Sequence, residues 1–538
     1  MPKISQRLCV AVPPGIAIIR SWSEYMGNPH RRLRRLGILT ATATAAALLL
    51  AACSGSTGSG TAGGAGDHDP NATITIGSIN EPTTLNTVKG GNTGHAQVLL
   101  RNVVEGLTVL TDDGKVEPLL AKSWDVSTDG MVYTFHLQSG VTFSDGTPLK
   151  AADVVATLKR VISDESTSAR KKNLSIMKSV EASDDSTVKV TLAQRSQSFL
   201  FYLTATGAAV TKPNAGNPET TVIGTGPYKV GGWKQGDSIT LTRNDTYWGA
   251  APKNKEVVYR FFKDATAENN ALLAGQLDLV TQVTSPDVLA QFSNRPEFTI
   301  VEGTSTTKEL FNFNDAVAPF NKVEVRKAIR QATDRKALLK AVWADRGQVI
   351  GSMVPPTDPW FEDLTSIDDY NVESAKALLA KAGHAGGLSF TVDYVPSDAT
   401  NIIAQGLKSQ LAQAGITITL NPVDDATWTD KVYKNHNFQA TIMTHVNQRD
   451  LVWYGDPTFY WQYDNPQVQQ WVKDSETAAS TQEQTDLLKR VARQISEDAA
   501  SNWLFLDPAI KVAATSVSGY QKNNTTDSFY VAPIAKRG

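Results

Sequence analysis

The sequence predicts an α/β protein made of two or three lobes, and three observations lead there. Strand-like and helix-like stretches alternate along nearly all of the 538 residues, the order that lays helices against wound sheets. Beyond a small-residue stretch ending at Pro70, roughly 470 residues remain, more than a single hydrophobic core ordinarily holds. The charge is balanced, with 52 basic and 54 acidic residues. No basic stripe interrupts it, so nucleic acid is not an expected partner.

The front of the chain reads as an export signal. Arg31, Arg32, Arg34 and Arg35 precede Leu36 to Ala52, a stretch of 17 residues without charge. A basic start, a short apolar run and small residues before a cut are the features of such signals. The run is short for a membrane-spanning helix, which needs about 20 residues; a retained membrane anchor is the alternative. Met26 is an alternative start, because residues 1–25 add nothing to the signal. The stretch closes with Leu50-Ala51-Ala52-Cys53, which resembles the bacterial lipoprotein box. That resemblance implies cleavage before Cys53, acylation of its sulfur and attachment to the outer face of the cell membrane. Only Cys9 and Cys53 occur, so a chain starting at Cys53 has one cysteine and no internal disulfide. A lone cysteine in an exported protein calls for a purpose, and lipidation supplies one. The 486 residues from Cys53 onward carry 45 basic and 53 acidic side chains, a net charge of −8. Residues 53–70 are dominated by Gly, Ser and Thr and contain no large apolar residue, the composition of a flexible tether.

The densest pattern lies between Leu119 and Arg160. Asp129-Gly130 predicts a two-residue hairpin turn. Met131 to Leu137 then alternates, with Val132, Thr134 and His136 on one face and Tyr133, Phe135 and Leu137 on the other, which predicts a half-buried strand. Asp145-Gly146 predicts a second turn closed by Pro148, and Ala151 to Val161 has helical spacing. Read this way, the segment builds a hairpin and a helix and carries no chemistry itself.

Its fixed positions nevertheless resemble a family signature. Ala121, Ser123, Trp124, Ser127, Asp129, Gly130, Tyr133, Thr134, Phe135 and Leu137 follow the pattern A-x-S-W-x-x-S-x-D-G-x-x-Y-T-F-x-L, continued by G-V-x-F-x-D-G-T-P from Gly140 to Pro148. The chain thereby resembles the family 5 extracellular solute-binding proteins, the receptors of peptide-type ABC importers. Glu81-Pro82 with Leu85 and Asn86 resembles the E-P-x-x-L-D segment, with Asn in the place of Asp. Gly224 to Tyr228 with Trp233 and Gly236, Asn244 with Tyr247-Trp248, and Phe311 to Asn314 followed by Pro319-Phe320 resemble further segments of the family. The resemblance implies a two-lobed periplasmic-binding-protein-like fold of type II, with an extra domain inserted in lobe I and a ligand cleft between the lobes. Lobe I maps to 71–110, 220–305 and 506–538, the inserted domain to 111–219, and lobe II to 306–505. It also implies, as partners, a small-molecule or peptide ligand and permease subunits with cytoplasmic ATPases, and a monomeric receptor without a cofactor.

Local signals agree in the later segments. Gly275 caps a helix that runs into a strand across Ala271 to Val280. Asn371 is an N-cap, Val372, Ala375, Leu378 and Ala382 form an apolar face, and Gly383 ends the helix. Thr481 to Gln484 predicts a capping box, and Leu488, Val491, Ile495 and Ala499 continue a buried stripe. Gln439 to Met443 predicts a buried strand.

The ligand candidates follow that last strand. In peptide-binding relatives, the resemblance implies, a W-x-x-D pattern supplies an aspartate for the peptide's α-ammonium. The corresponding stretch here, Thr444 to Pro457, lacks it and offers His445, Asn447, Gln448, Arg449 and Asp450 instead. Asp450 is the substitute candidate for the ammonium; an Arg449–Asp450 ion pair is the plainer reading. Trp453 and Tyr454 belong to an aromatic group with Phe459, Tyr460 and Trp461, half of it expected in the core. Asn312 and Asn314 share a strand face directed either at the cleft or at strand-edge backbone groups. No metal site is expected, because His445 has no second His or Cys at ligand spacing. Catalysis has no motif: G-x-S-x-G, H-E-x-x-H and Walker A patterns are all missing from the sequence, and Asp184-Asp185 and Asp368-Asp369 read as exposed turn pairs. A lipid-anchored cell-wall hydrolase is the rival class. An oligosaccharide or metal-chelate ligand is the alternative within the receptor class.

Overall fold

The computed structural model describes residues 68–89 and 92–538. The expected export signal, Cys53 and nearly all of the expected tether lie outside them. One sheet of eleven strands runs through the molecule. From one edge its strands are Ile416–Pro422, Leu388–Tyr394, Ala440–His445, Phe298–Phe313, Ser501–Ala514, Leu279–Val280, Thr73–Ser78, Glu256–Phe261, Ser238–Arg243 and Tyr228–Lys234, with Gln348–Val349 paired to Ser501–Ala514. At the first edge Leu388–Tyr394 lies parallel to both its neighbours. In the other half Thr73–Ser78 lies parallel to Glu256–Phe261 and Leu279–Val280. Parallel neighbours require crossover connections, and the helices Ala265–Leu273 and Asp398–Gln413 supply two of them.

The two halves share only the long antiparallel strands Phe298–Phe313 and Ser501–Ala514. Their register breaks in the middle: Thr304 faces Pro508 and Lys308 faces Leu506, so Ser305 to Thr307 stand opposite Asp507 alone. Pro508 has no N–H for the ladder, and Ser305 Oγ donates to the Asp507 carbonyl at 2.6 Å. This bulge turns the strand and sends Lys308 and Glu309 to opposite faces.

A separate four-stranded antiparallel sheet contains Ala121–Val126, Val132–Leu137, Thr187–Leu192 and Met177–Asp184, in that order. It has its own core of Tyr133, Phe135, Leu158, Val188 and Phe199. The predicted alternation holds, since Tyr133, Phe135 and Leu137 are the buried positions of their strand. The helix Ala151–Val161 has the predicted bounds.

Several local expectations are corrected. The hairpin before Val132 is closed by Ser127 N donating to Val132 O, with Gly130 (φ 70°) completing a turn over Ser127 to Gly130; it is longer than two residues because Asp129 also accepts from Ser127 Oγ and Met131 N. The helix Thr481–Glu497 begins one residue earlier in capping terms: Ser480 Oγ accepts from Glu483 N at 3.1 Å, and Glu483 reaches back to Ala479 N at 2.8 Å. In the helix Val372–Lys381, Asn371 is the cap as expected, but Leu379 rather than Leu378 is the fully buried leucine beside Ala375. Asp368 is not an exposed turn residue. Its side chain lies buried 3.6 Å from Arg330.

Candidate functional site

The strand Ala440–His445 delivers its last side chain into the protein, and the chain then turns sharply. Arg449 has φ 56°, a left-handed conformation uncommon outside glycine, and it swings Asp450 inward. Asp450 is 1% exposed and lies 3.2 Å from the Lys308 ammonium, itself 0% exposed. Lys308 Nζ also donates to the carbonyls of Thr306 at 3.0 Å and Asn447 at 2.9 Å. The bulge that displaces Ser305 to Thr307 is what puts Lys308 there. Opposite Lys308, His445 Nδ1 approaches Asp450 at 3.6 Å. Its other nitrogen lies 2.9 Å from Tyr460 Oη, which accepts from Asn312 Nδ2 at 2.6 Å.

Aromatic rings wall this network. Trp453 stacks on Phe459 at 4.9 Å and Tyr454 on Trp461 at 4.3 Å between centroids. His445 lies 5.8 Å from Trp453 and 5.7 Å from Trp461. Tyr454, Tyr460 and Trp461 are buried, while Trp453 and Phe459 keep partial exposure.

The structure thus brings Asn312, His445, Asn447, Asp450 and Trp453 together and leaves three candidates apart. Asn314 donates to the carbonyls of His436 at 3.0 Å and Phe438 at 3.3 Å, the backbone role that was the alternative for it. Tyr454 Oη donates to Ser501 Oγ at 2.8 Å and accepts from Trp503 Nε1, so its hydroxyl serves the core. Arg449 does not pair with Asp450, because the left-handed turn points the two side chains apart. Its guanidinium lies 4.1 Å from the Phe201 ring and 5.3 Å from the Trp360 ring, and it donates to Gly114 O at 3.4 Å.

Residues the sequence did not flag complete the site. Besides Lys308, these are Trp360 and Asp358, both buried in the run Pro355 to Phe361. Burial pushes the Asp358 carboxyl up to about 7, offset in part by the charges of Arg449 and Lys308. The signal available was an acid between two prolines in an otherwise apolar run. Chain segments remote in sequence meet across this region. Gln448 Nε2 donates to Asp527 at 2.8 Å, Gln484 Nε2 to Ser198 Oγ at 3.1 Å, and Ser196 Oγ to Glu476. Beside the Gln448–Asp527 contact a cavity of about 20 Å³ is lined by Arg101, Leu110, Arg170, Phe201, Gln448 and Asp527 among others, space for about one water. Among the described residues no cluster of His, Cys, Asp or Glu is arranged to hold a metal ion.

The family-like segments around Glu81, Gly224 and Asn244 do structural work elsewhere. Glu105 accepts from Thr225 Oγ1 at 2.8 Å, Tyr247 Oη at 2.8 Å and Trp248 Nε1 at 2.9 Å, tying together the two segments around Gly224 and Asn244. Glu81 likewise holds Trp233 Nε1 at 2.9 Å and Gly236 N at 2.8 Å.

The fold and site define a class first. The ABC-transporter substrate-binding protein CtaP of Listeria monocytogenes aligns at a TM-score of 0.79 and 23% identity, over 87% of this chain and 100% of that one. The oligopeptide-binding protein AppA of Bacillus subtilis, solved with a nonapeptide, aligns at 0.74 and 22% identity, over 88% and 100%. These likenesses give the type II periplasmic-binding-protein fold. The particular family follows from sequence: the bacterial extracellular solute-binding proteins, family 5 Middle, match residues 115–470, more than half of the chain. The chain belongs to that family of extracellular solute-binding proteins. Haem-binding protein A of Haemophilus influenzae is 32% identical over 306 residues, 52% of this chain and 55% of that relative. The glutathione-binding protein GsiB of Escherichia coli is 29% identical over 364 residues, 66% of this chain and 70% of the relative. The chain thus spans little more than half the length of the haem-binding relative.

Proposed function

We propose that the protein is the lipid-anchored receptor of an ABC importer, capturing a peptide-type solute between two lobes and handing it to the permease without chemical change. In this reading lobe I comprises 71–110, 220–305 and 506–538, the inserted domain 111–219, and lobe II 306–505. The receptor acts as a monomer on a tether fixed to the membrane through Cys53. The observation that supports it best is the way the molecule is joined. The halves of the great sheet share only two long strands, bulged at Ser305 to Thr307, yet the segment after Ala440–His445 also reaches Asp527 through Gln448, and Phe201 of the inserted segment through Arg449, beside a buried network of charges and aromatic rings. Two crossing strands and a separable second contact are the parts a hinge needs. A peptide fits the site's chemistry because the rings bury apolar side chains while the polar groups take its backbone and terminus.

The test is ligand capture. A mixed-sequence pool of tri- to pentapeptides should raise the melting temperature, and native mass spectrometry should recover intact peptide at one per chain. Recovery of cleaved product would count for the hydrolase class. No shift with peptides, but one with oligosaccharides or metal chelates, would move the ligand assignment to those compounds.

A further inference from the structure

Buried polar groups normally have partners, and several of the exceptions among the described residues lie at the site, others being spread through the molecule. Asp358 Oδ2, Trp360 Nε1, His445 Nδ1, both carboxylate oxygens of Asp450 and Trp461 Nε1 are buried without a hydrogen bond. Of the two acids, Asp450 already lies against the Lys308 ammonium, so its charge is compensated within the protein. Asp358 is different. It is 8% exposed, and its backbone is fixed by the Asp358 N to Pro355 O and Phe361 N to Asp358 O bonds. The Arg449 guanidinium, whose charge acts on Asp358, is itself engaged with the Phe201 ring and the Gly114 carbonyl.

Position supports a ligand role. The turn Thr111 to Lys115 projects from the inserted segment onto this spot. A side chain at Gly114 (φ 80°) would begin 2.5 Å from Thr357 O, so the turn lies directly against the residue before Asp358. Arg449 bonds that same turn and packs on Phe201. Separation of the inserted segment from lobe II therefore uncovers Asp358, and closure encloses whatever it holds. A buried carboxyl with an unpaired oxygen and no cation at salt-bridge distance, covered by the contact with the inserted segment, suits a donor with full positive charge.

We propose that Asp358, with the Trp360 indole beside it, is the acceptor for a primary ammonium group of the ligand, taking the role for which Asp450 was the sequence candidate. This rests on the peptide reading above. A peptide's free amino terminus sits on Asp358, Arg449 and the Gly114 turn close over it, and Lys308 keeps Asp450 out of the exchange.

The experiment titrates wild type, Asp358→Asn, Trp360→Phe and Asp450→Asn with the tri- to pentapeptide pool and with the same pool N-acetylated, reading bound fraction by native mass spectrometry. Asp358→Asn should weaken the free-amino pool about 10- to 100-fold, the scale of one charged hydrogen bond, and change the acetylated pool less than about threefold on the same scale. Circular dichroism and melting show that the variant is folded. Trp360→Phe keeps the ring, loses the N–H, and should show the same selective loss to a smaller degree. Equal loss for both pools, or none, in Asp358→Asn overturns this proposal while leaving the peptide reading in place. A selective loss in Asp450→Asn alone overturns it in favour of Asp450. Failure of wild type to bind either pool overturns the peptide reading and this proposal together.

Discussion

Removal of the Lys308 ammonium is the most informative perturbation of the fold. Lys308→Met keeps the length of the side chain and deletes its charge. In the native protein the ammonium lies 3.2 Å from Asp450 and donates to two carbonyls, those of Thr306 and Asn447, with both charged side chains almost wholly buried. The substitution leaves Asp450 in a water-poor site with only His445 Nδ1 near it at 3.6 Å, and strands two carbonyls. Breaking a buried pair from one side costs about 3–5 kcal/mol. Asp450→Asn should cost a comparable amount by stranding the ammonium. In the double variant no charge remains to be compensated, so its loss should fall short of the sum of the two by about 2 kcal/mol, within the range for directly coupled residues. Urea unfolding followed by tryptophan fluorescence measures all four corners of this cycle. Single variants that lose less than about 1 kcal/mol, or losses that add, would refute the argument that the pair is a coupled buried unit.

Three further outcomes are expected. Stability should fall as pH rises above about 4.5, because burial pushes the carboxyl groups of Glu105 and Asp507 up to about 7. A carboxyl with a raised folded pKa binds more protons folded than unfolded, so the stabilisation is present below its unfolded value and lost as pH rises through the folded one; Asp507→Asn should flatten the pH profile of the urea midpoint by relieving the pair it forms with Glu309, whose carboxyl burial and the Asp507 charge also push up. Gly224→Ala should destabilise by about 2 kcal/mol or more, since its Cβ would stand 2.0 Å from the Val103 carbonyl; Gly232→Ala, with nothing within 4 Å, is the control and should leave the melting temperature nearly unchanged. Cys53→Ala should shift the protein from the membrane fraction to the medium or leave it unprocessed, seen by fractionation and intact mass; a membrane-bound variant of the wild-type mature mass would contradict lipid anchoring.

The sequence by itself determined what depends on near neighbours. Alternation chose the buried face of Val132–Leu137, glycines at positive φ ended helices at Gly275 and Gly383, and Asn371 capped its helix, because each signal acts over a few residues. Where two neighbours offer similar signals, as with Ser480 and Thr481 or Leu378 and Leu379, the periodicity left a one-residue choice that packing made. The partnerships of the site lay beyond local reading. The Lys308 to Asn447 bond joins positions 139 residues apart, and only the bulged crossing of the long strands puts that lysine beside Asp450. Arg449 and Asp450 are adjacent in sequence, yet the left-handed turn between strand and helix sends one to Phe201 and the other to Lys308. Asp358 carries no motif at all; its importance comes from what surrounds it, and burial, charge and missing partners are properties that the tertiary structure alone assigns.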